Sequence, residues 1–118
     1  MDALHQVDAW DVPFAAVGVT TAEAVLATHG DATRRLPLAS VSKPIAALAS
    51  LVAAEEGVVD LDEPAGPPAA TVRHLLAHAS GLPFEGDRPI APPGRRRIYS
   101  NEGFQAPVSY THLTLPTN

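Results

Sequence analysis

At 118 residues and a formal net charge of -5, the chain is long enough for one domain with a core, and too acidic for a surface built on clustered Lys and Arg. Nucleic acid and anionic lipid are therefore not expected partners. Hydrophobic residues at 46% against charged residues at 18% are a globular balance, and the absence of cysteine excludes disulfides and thiolate metal sites.

The opening run Met1-Asp2-Ala3-Leu4-His5-Gln6-Val7-Asp8 has neither a basic stretch nor a sustained apolar stretch, so a cytoplasmic location is expected. No apolar run reaches membrane-spanning length, and no transmembrane segment is expected. Trp10 and Phe14 are expected in the core or as an anchor for the start of the chain. Residues Pro13 to Val19 and Glu23 to Thr28 are short, β-prone stretches separated by Thr20-Thr21-Ala22, which predicts an antiparallel hairpin closed by Gly30-Asp31.

From Ser40 the apolar residues Val41, Ile45, Leu48, Ala49 and Val52 recur at intervals of three and four. With Pro44 in the first turn and Gly57 as a stop, this predicts a helix. Small alanines leave it apolar around most of its girth, so it is expected to be buried centrally in a larger body. A Pro- and Gly-rich loop, Ala65-Gly66-Pro67-Pro68, follows. Thr71 can then cap a short helix through His78 that stops near Gly81, and prolines make most of the stretch from Pro83 to Gly94 irregular. Arg95-Arg96-Arg97 reads as a solvated loop.

Ser40 and Lys43 lie three apart at the predicted helix start, on one face. A serine hydroxyl needs a base to become a nucleophile, a lysine whose ammonium is disfavoured can share that role, and free N–H groups at a helix N-terminus can stabilise an oxyanion. By itself Ser-x-x-Lys is common, because a serine cap followed by an exposed lysine produces it.

Context makes the pattern specific. The run from Leu38 to Leu48 resembles the nucleophile segment of class C β-lactamases and their relatives, the D-alanyl-D-alanine carboxypeptidases of the penicillin-binding protein group and lactamase-like esterases. Glu55 to Pro64, then Val72 to Leu82, then Pro93-Gly94 leading to Tyr99-Ser100-Asn101, match in the same order. The resemblance covers roughly residues 36 to 104, more loosely the hairpin before them. It implies an α+β fold, an α/β sandwich in which an antiparallel sheet is flanked by helices, incomplete here at its C-terminus. It also implies that Ser40 forms an acyl-enzyme, that Lys43 shares its proton network, that Tyr99 is the general base and that Asn101 binds the acyl-amide side of the substrate.

The expected function is that of a serine hydrolase acting on a β-lactam, a D-alanyl peptide or a small ester. The alternatives are a non-catalytic binding protein of the same fold and an inactive truncated fragment. Substrate is the only partner expected, the sequence names no oligomeric state, and no cofactor and no metal are expected. His74 and His78 have the spacing of zinc ligands on a helix but no third ligand suggests itself, and the resemblance makes that segment scaffold. His29-Gly30 precedes Ser40 and so stands in the wrong order for the family's third motif, a Lys or His, then Thr or Ser, then Gly, found far downstream.

Val108 to Thr117 match the in-frame translation of a transposon-end sequencing adapter, so the chain is expected to divide into the N-terminal part of a β-lactamase-related serine hydrolase domain, 1–107, and a non-native tail, 108–118. The third motif and the second oxyanion donor that comes with it are absent from these residues. Loss of one such donor costs on the order of a hundredfold in rate, so this chain by itself is expected to be inactive.

Overall fold

The computed structural model describes residues 2–110, with 106–110 by their backbone alone. The tail read as non-native lies outside the described residues from position 111 on. Two compact units divide at Pro37 and Leu38.

In the first unit a 3-10 helix, Asp2–Ala9, precedes two strands, β1 (Val17–Thr20) and β2 (Val25–His29). The strands pair antiparallel with Val17 opposite His29, and a register shift falls between Val19 and Thr20. The predicted hairpin is thus present with shorter strands. Its turn is held by the Thr21 hydroxyl, which accepts from the N–H groups of Glu23 and Ala24 at 3.2 Å each. At its far end Gly30 has φ +90, and a Cβ there would lie 2.6 Å from the Ala15 carbonyl oxygen. The expectation for Trp10 is corrected: it is 61% exposed and belongs to no core, because Val7 is the buried hydrophobic residue of this unit among those described. Phe14 is half-buried, with the Arg34 guanidinium 4.7 Å from its ring centroid.

The second unit begins with a 3-10 turn, Ala39–Val41, that runs into α1 (Ser42–Glu55). Pro44 stands in the first turn of α1, where its missing N–H is not needed. Gly57, at φ +76, ends the helix. The expected central burial of α1 is not found: it buries Ser50 and Ala53, while Ile45, Leu48, Leu51 and Val52 stay exposed. Packing of those side chains needs partners on more than one side, and the described residues cover one side only.

The core is formed by Ala53, Val59, Ala65, Val72, Leu75 and Leu82, with Leu61 and Leu76 against it. Val72 and Leu75 are fully buried, each contributing roughly 1.5–3 kcal/mol of transfer free energy. Both sit on α2 (Val72–Leu76). Its N-cap is the predicted Thr71, whose hydroxyl accepts from His74 N–H while His74 Nδ1 accepts from Thr71 N–H. The loop before it closes on itself, Pro64 bridging Thr71 and Ala65 N–H donating to the Ala70 carbonyl.

The last described helix, α3 (Asn101–Tyr110), was not foreseen. Ser100 starts it, its hydroxyl accepting from Gly103 N–H at 3.0 Å while the residue is only 1% exposed. Among the described residues no helix is long and apolar enough to cross a membrane.

Candidate functional site

Ser40 lies in the 3-10 turn and not in α1 itself. Ala39, just before it, has φ +47, a left-handed conformation that costs a non-glycine residue roughly 1 kcal/mol and sharply redirects the chain. The turn consumes N–H groups expected to be free: Val41 N–H donates to the Leu38 carbonyl at 3.0 Å, and Ser42 N–H to the carbonyls of Ala39 and Ser40. Neither of these two N–H groups is therefore available to an oxyanion.

Lys43 stands on the first turn of α1 and its Nζ donates to Ser40 Oγ at 3.4 Å. The same ammonium lies 4.8 Å from the centroid of the Tyr99 ring. Residues distant in sequence thus meet: Ser40, Lys43 and Tyr99 line one cleft of about 520 Å³, together with His78, Arg97 and Phe104. Asn101 lines a neighbouring cleft of about 490 Å³, which Lys43 also borders. Of the expected site residues, Ser40, Lys43 and Tyr99 share one space, and Asn101 stands beside it.

Three main-chain bonds carry Tyr99 to this position. Ile90 N–H donates to the Gly81 carbonyl, Gly94 N–H to that of Ala79, and Ile98 N–H to that of His78 at 2.7 Å. The segment before Tyr99 is pinned back along residues 78–81. His78 completes the arrangement: its Nδ1 accepts from Ser100 N–H at 3.0 Å, and its ring stacks on Tyr99 with centroids 4.6 Å apart. The Phe104 ring also packs on His78, with centroids 4.9 Å apart, and Phe84 lies 5.9 Å from Tyr99.

The hydroxyl of Tyr99 is shifted below its ordinary pKa of 10.0. Hydrogen bonding to Lys43 is the largest cause, followed by hydrogen bonding to Ser40; desolvation opposes them, and the Lys43 and Arg97 charges add lesser lowering effects. His78 is shifted below 6.5, first by burial and then by the positive charges of Arg97 and Lys43. An imidazole so placed is neutral at neutral pH, with Nδ1 as acceptor and the proton on Nε2.

Two contributors escaped the sequence reading. Arg97 was read as part of a solvated loop; it is exposed, yet its charge reaches both Tyr99 and His78. His78 was weighed as a zinc ligand one helical turn from His74. Here α2 ends at Leu76, His78 has φ +56, and each ring's Nδ1 accepts a backbone N–H, from Thr71 for His74 and Ser100 for His78. The signal that could have found His78 is its place before Ala79-Ser80-Gly81, a turn-rich stretch too short to continue a helix.

Comparison with known proteins agrees with this geometry. The beta-lactamase family model matches residues 5–106. No curated protein matches. The crystal structure of a beta-lactamase from Mycobacterium bovis is 55% identical, with a TM-score of 0.84 over 93% of this chain and 40% of that one. The chain therefore spans two fifths of the length of that relative. A family match over most of the sequence and a relative of this identity lead to one conclusion: the chain belongs to the beta-lactamase family.

Proposed function

We propose that the protein is a serine hydrolase that works through an acyl-enzyme on Ser40, with a β-lactam, a D-alanyl peptide or a small ester as substrate. The observation that carries this reading is the Lys43 ammonium, set 3.4 Å from the Ser40 hydroxyl and 4.8 Å from the Tyr99 ring centroid. A cation in that place favours the phenolate of Tyr99, and a phenolate is a base able to accept the serine proton.

In the proposed cycle Tyr99 takes the proton of Ser40 as Oγ bonds to the substrate carbonyl carbon. Collapse of the tetrahedral adduct breaks the bond to the leaving nitrogen or oxygen, which receives that proton from Tyr99 by way of Lys43. Water then attacks the Ser40 ester, releasing the acid and restoring the hydroxyl. Asn101, at the edge of the cleft, is assigned to hydrogen bonding with the acyl-amide side of the substrate.

The reading extends to the parts of the chain. Residues 1–107 are the hydrolase portion, and 108–118 a non-native tail; the family match ending at residue 106 supports that division. The exposed apolar face of α1 and the two-fifths coverage of the M. bovis protein support a reaction that needs residues beyond these, so this chain alone is proposed to be inactive.

The experiment compares this chain with the product of the native reading frame, sequenced through codons 105–115 to its stop. Each is treated with a fluorescent penicillin and with a p-nitrophenyl ester, and labelled peptides are identified by mass spectrometry. Label on the Ser40 peptide of the native product, lost in Ser40→Ala, is expected. An unlabelled native product would refute the hydrolase reading; a labelled 118-residue chain would refute the inactivity of the fragment.

A further inference from the structure

The first unit holds a constellation that the hydrolase reading does not use. His5 and Asp8 lie three apart on the 3-10 helix Asp2–Ala9, and at three residues per turn such positions stand one above the other. His29, the last residue of β2, comes to the same place from the hairpin. Its Nε2 lies 2.8 Å from Asp8 Oδ1, and His5 Nδ1 lies 3.6 Å from Asp8 Oδ2. The two imidazole rings approach to 4.1 Å between centroids.

We propose that His5, Asp8 and His29 form a binding site for a divalent transition-metal ion, zinc above all, that fastens the opening 3-10 helix to the hairpin. One donor atom from each residue lies within 4.8 Å of the other two. Donors about 2.1 Å from a tetrahedral ion stand about 3.4 Å apart, so the observed separations close on that figure through side-chain rotation. Two imidazoles and one carboxylate are a donor set suited to zinc, with water completing the shell. A ring that binds an ion through Nε2 carries its proton on Nδ1, so the present Nε2 contact with Asp8 gives way to the metal bond.

Two features of the unit fit a metal staple. Among the described residues its one buried hydrophobic residue is Val7, and the sequence holds no cysteine that could cross-link it. Its 3-10 helix runs for 8 residues, well beyond the three or four at which such helices usually stop, so it needs external contacts. Histidine and aspartate side chains reaching toward β2 supply them.

The test titrates the metal-free chain with Zn²⁺ alone at neutral pH, against a chromophoric chelator and by calorimetry. One ion per chain is expected, with affinity falling on the order of tenfold to a hundredfold in His5→Ala, His29→Ala and Asp8→Asn, and unchanged in His74→Ala. Asp8→Asn keeps the size and a hydrogen-bonding oxygen of the residue, so its effect is separable from loss of fold. In the intact chain, Co²⁺ is expected to shift the imidazole proton resonances of His5 and His29 and leave those of His74 in place. Absence of stoichiometric binding, equal binding by Asp8→Asn, or shifts at His74 in place of His5 and His29, would each overturn the proposal.

Discussion

His78 accepts the N–H of Ser100 on its Nδ1 at 3.0 Å and lays its ring against Tyr99, the residue in between its other main-chain contact, Ile98, and Ser100. One histidine thus fixes the backbone on both sides of Tyr99 and one face of its ring. It does so from a left-handed conformation, φ +56, that histidine, asparagine and aspartate adopt more readily than other non-glycine residues. The position of Tyr99 opposite Lys43 is therefore set through a residue on a different segment, and His78 acts as a positioning residue.

His78→Ala is expected to destabilise the protein by about 1–3 kcal/mol, because it leaves the buried Ser100 N–H without its acceptor and puts alanine at a positive φ. His78→Asn, which tolerates that conformation and offers an oxygen acceptor, is expected to lose less. Urea unfolding of the two variants beside the parent measures the difference. Equal losses would show that neither the backbone conformation nor the acceptor matters.

The same residue gives stability a pH dependence of known sign. The folded-state pKa of His78 lies below 6.5, so between these values the unfolded chain binds the extra proton. Its contribution is complete above pH 6.5, falls as the pH drops below that value, and levels off beneath the folded-state pKa. The carboxylates shifted downward, Asp8, Asp31 and Asp62, lose their contributions only below 3.8, in a separate window. The urea midpoint is expected to fall on acidification from pH 7.5 to 5, an interval of about one ordinary histidine titration, and to do so less in His78→Asn.

How far the sequence discloses this arrangement depends on the range of the interaction. The Ser40 to Lys43 relation is legible because three residues of helical chain fix it, and the Thr71 cap is legible because its partner, His74, is equally near. Tyr99 is legible by resemblance to a family pattern, not by any local rule. Arg97 and the stacking of His78 depend on chain folded back over some twenty residues, and no periodicity encodes that. The reading of α1 as a centrally buried helix, apolar around most of its girth, fails differently: it states what the helix needs covered, which the described residues do only in part. At α3 the sequence held a usable signal that the reading did not use, Ser100 as a cap with Glu102 in the first turn.

Two glycines with similar backbones separate strain from space. Gly81 has φ +90 and a Cβ there would meet the Ala91 carbonyl oxygen at 1.9 Å, whereas Gly57 has φ +76 and nothing within 4 Å. Gly57→Ala is expected to cost about 1 kcal/mol, from the left-handed conformation alone. Gly81→Ala must in addition push away the 90–98 segment that brings Tyr99 to Lys43, and a clear excess over Gly57→Ala is expected in urea unfolding. Equal costs would mean that the segment moves aside freely.

The closest test of the site is the ionisation of Tyr99 itself, since the chain has two tyrosines, Tyr99 and Tyr110, and a Tyr99→Phe variant identifies its share of the phenolate absorbance. That share is expected to develop below pH 10.0, because Lys43 stabilises the phenolate. Lys43→Met, which keeps a chain of similar reach without the charge, is expected to move it back up. The sign for stability is the same as that of His78, with the unfolded chain binding the extra proton, but the window lies on the alkaline side: the contribution is complete above about 10 and absent below the folded-state value. At neutral pH the Lys43–Tyr99 approach therefore adds nothing to stability through this titration, and its consequence is chemical, a larger phenolate fraction beside Ser40. A phenolate curve in Lys43→Met that coincides with the parent's would remove Lys43 as the cause of the shift, and with it the physical reason for assigning Tyr99 the role of base.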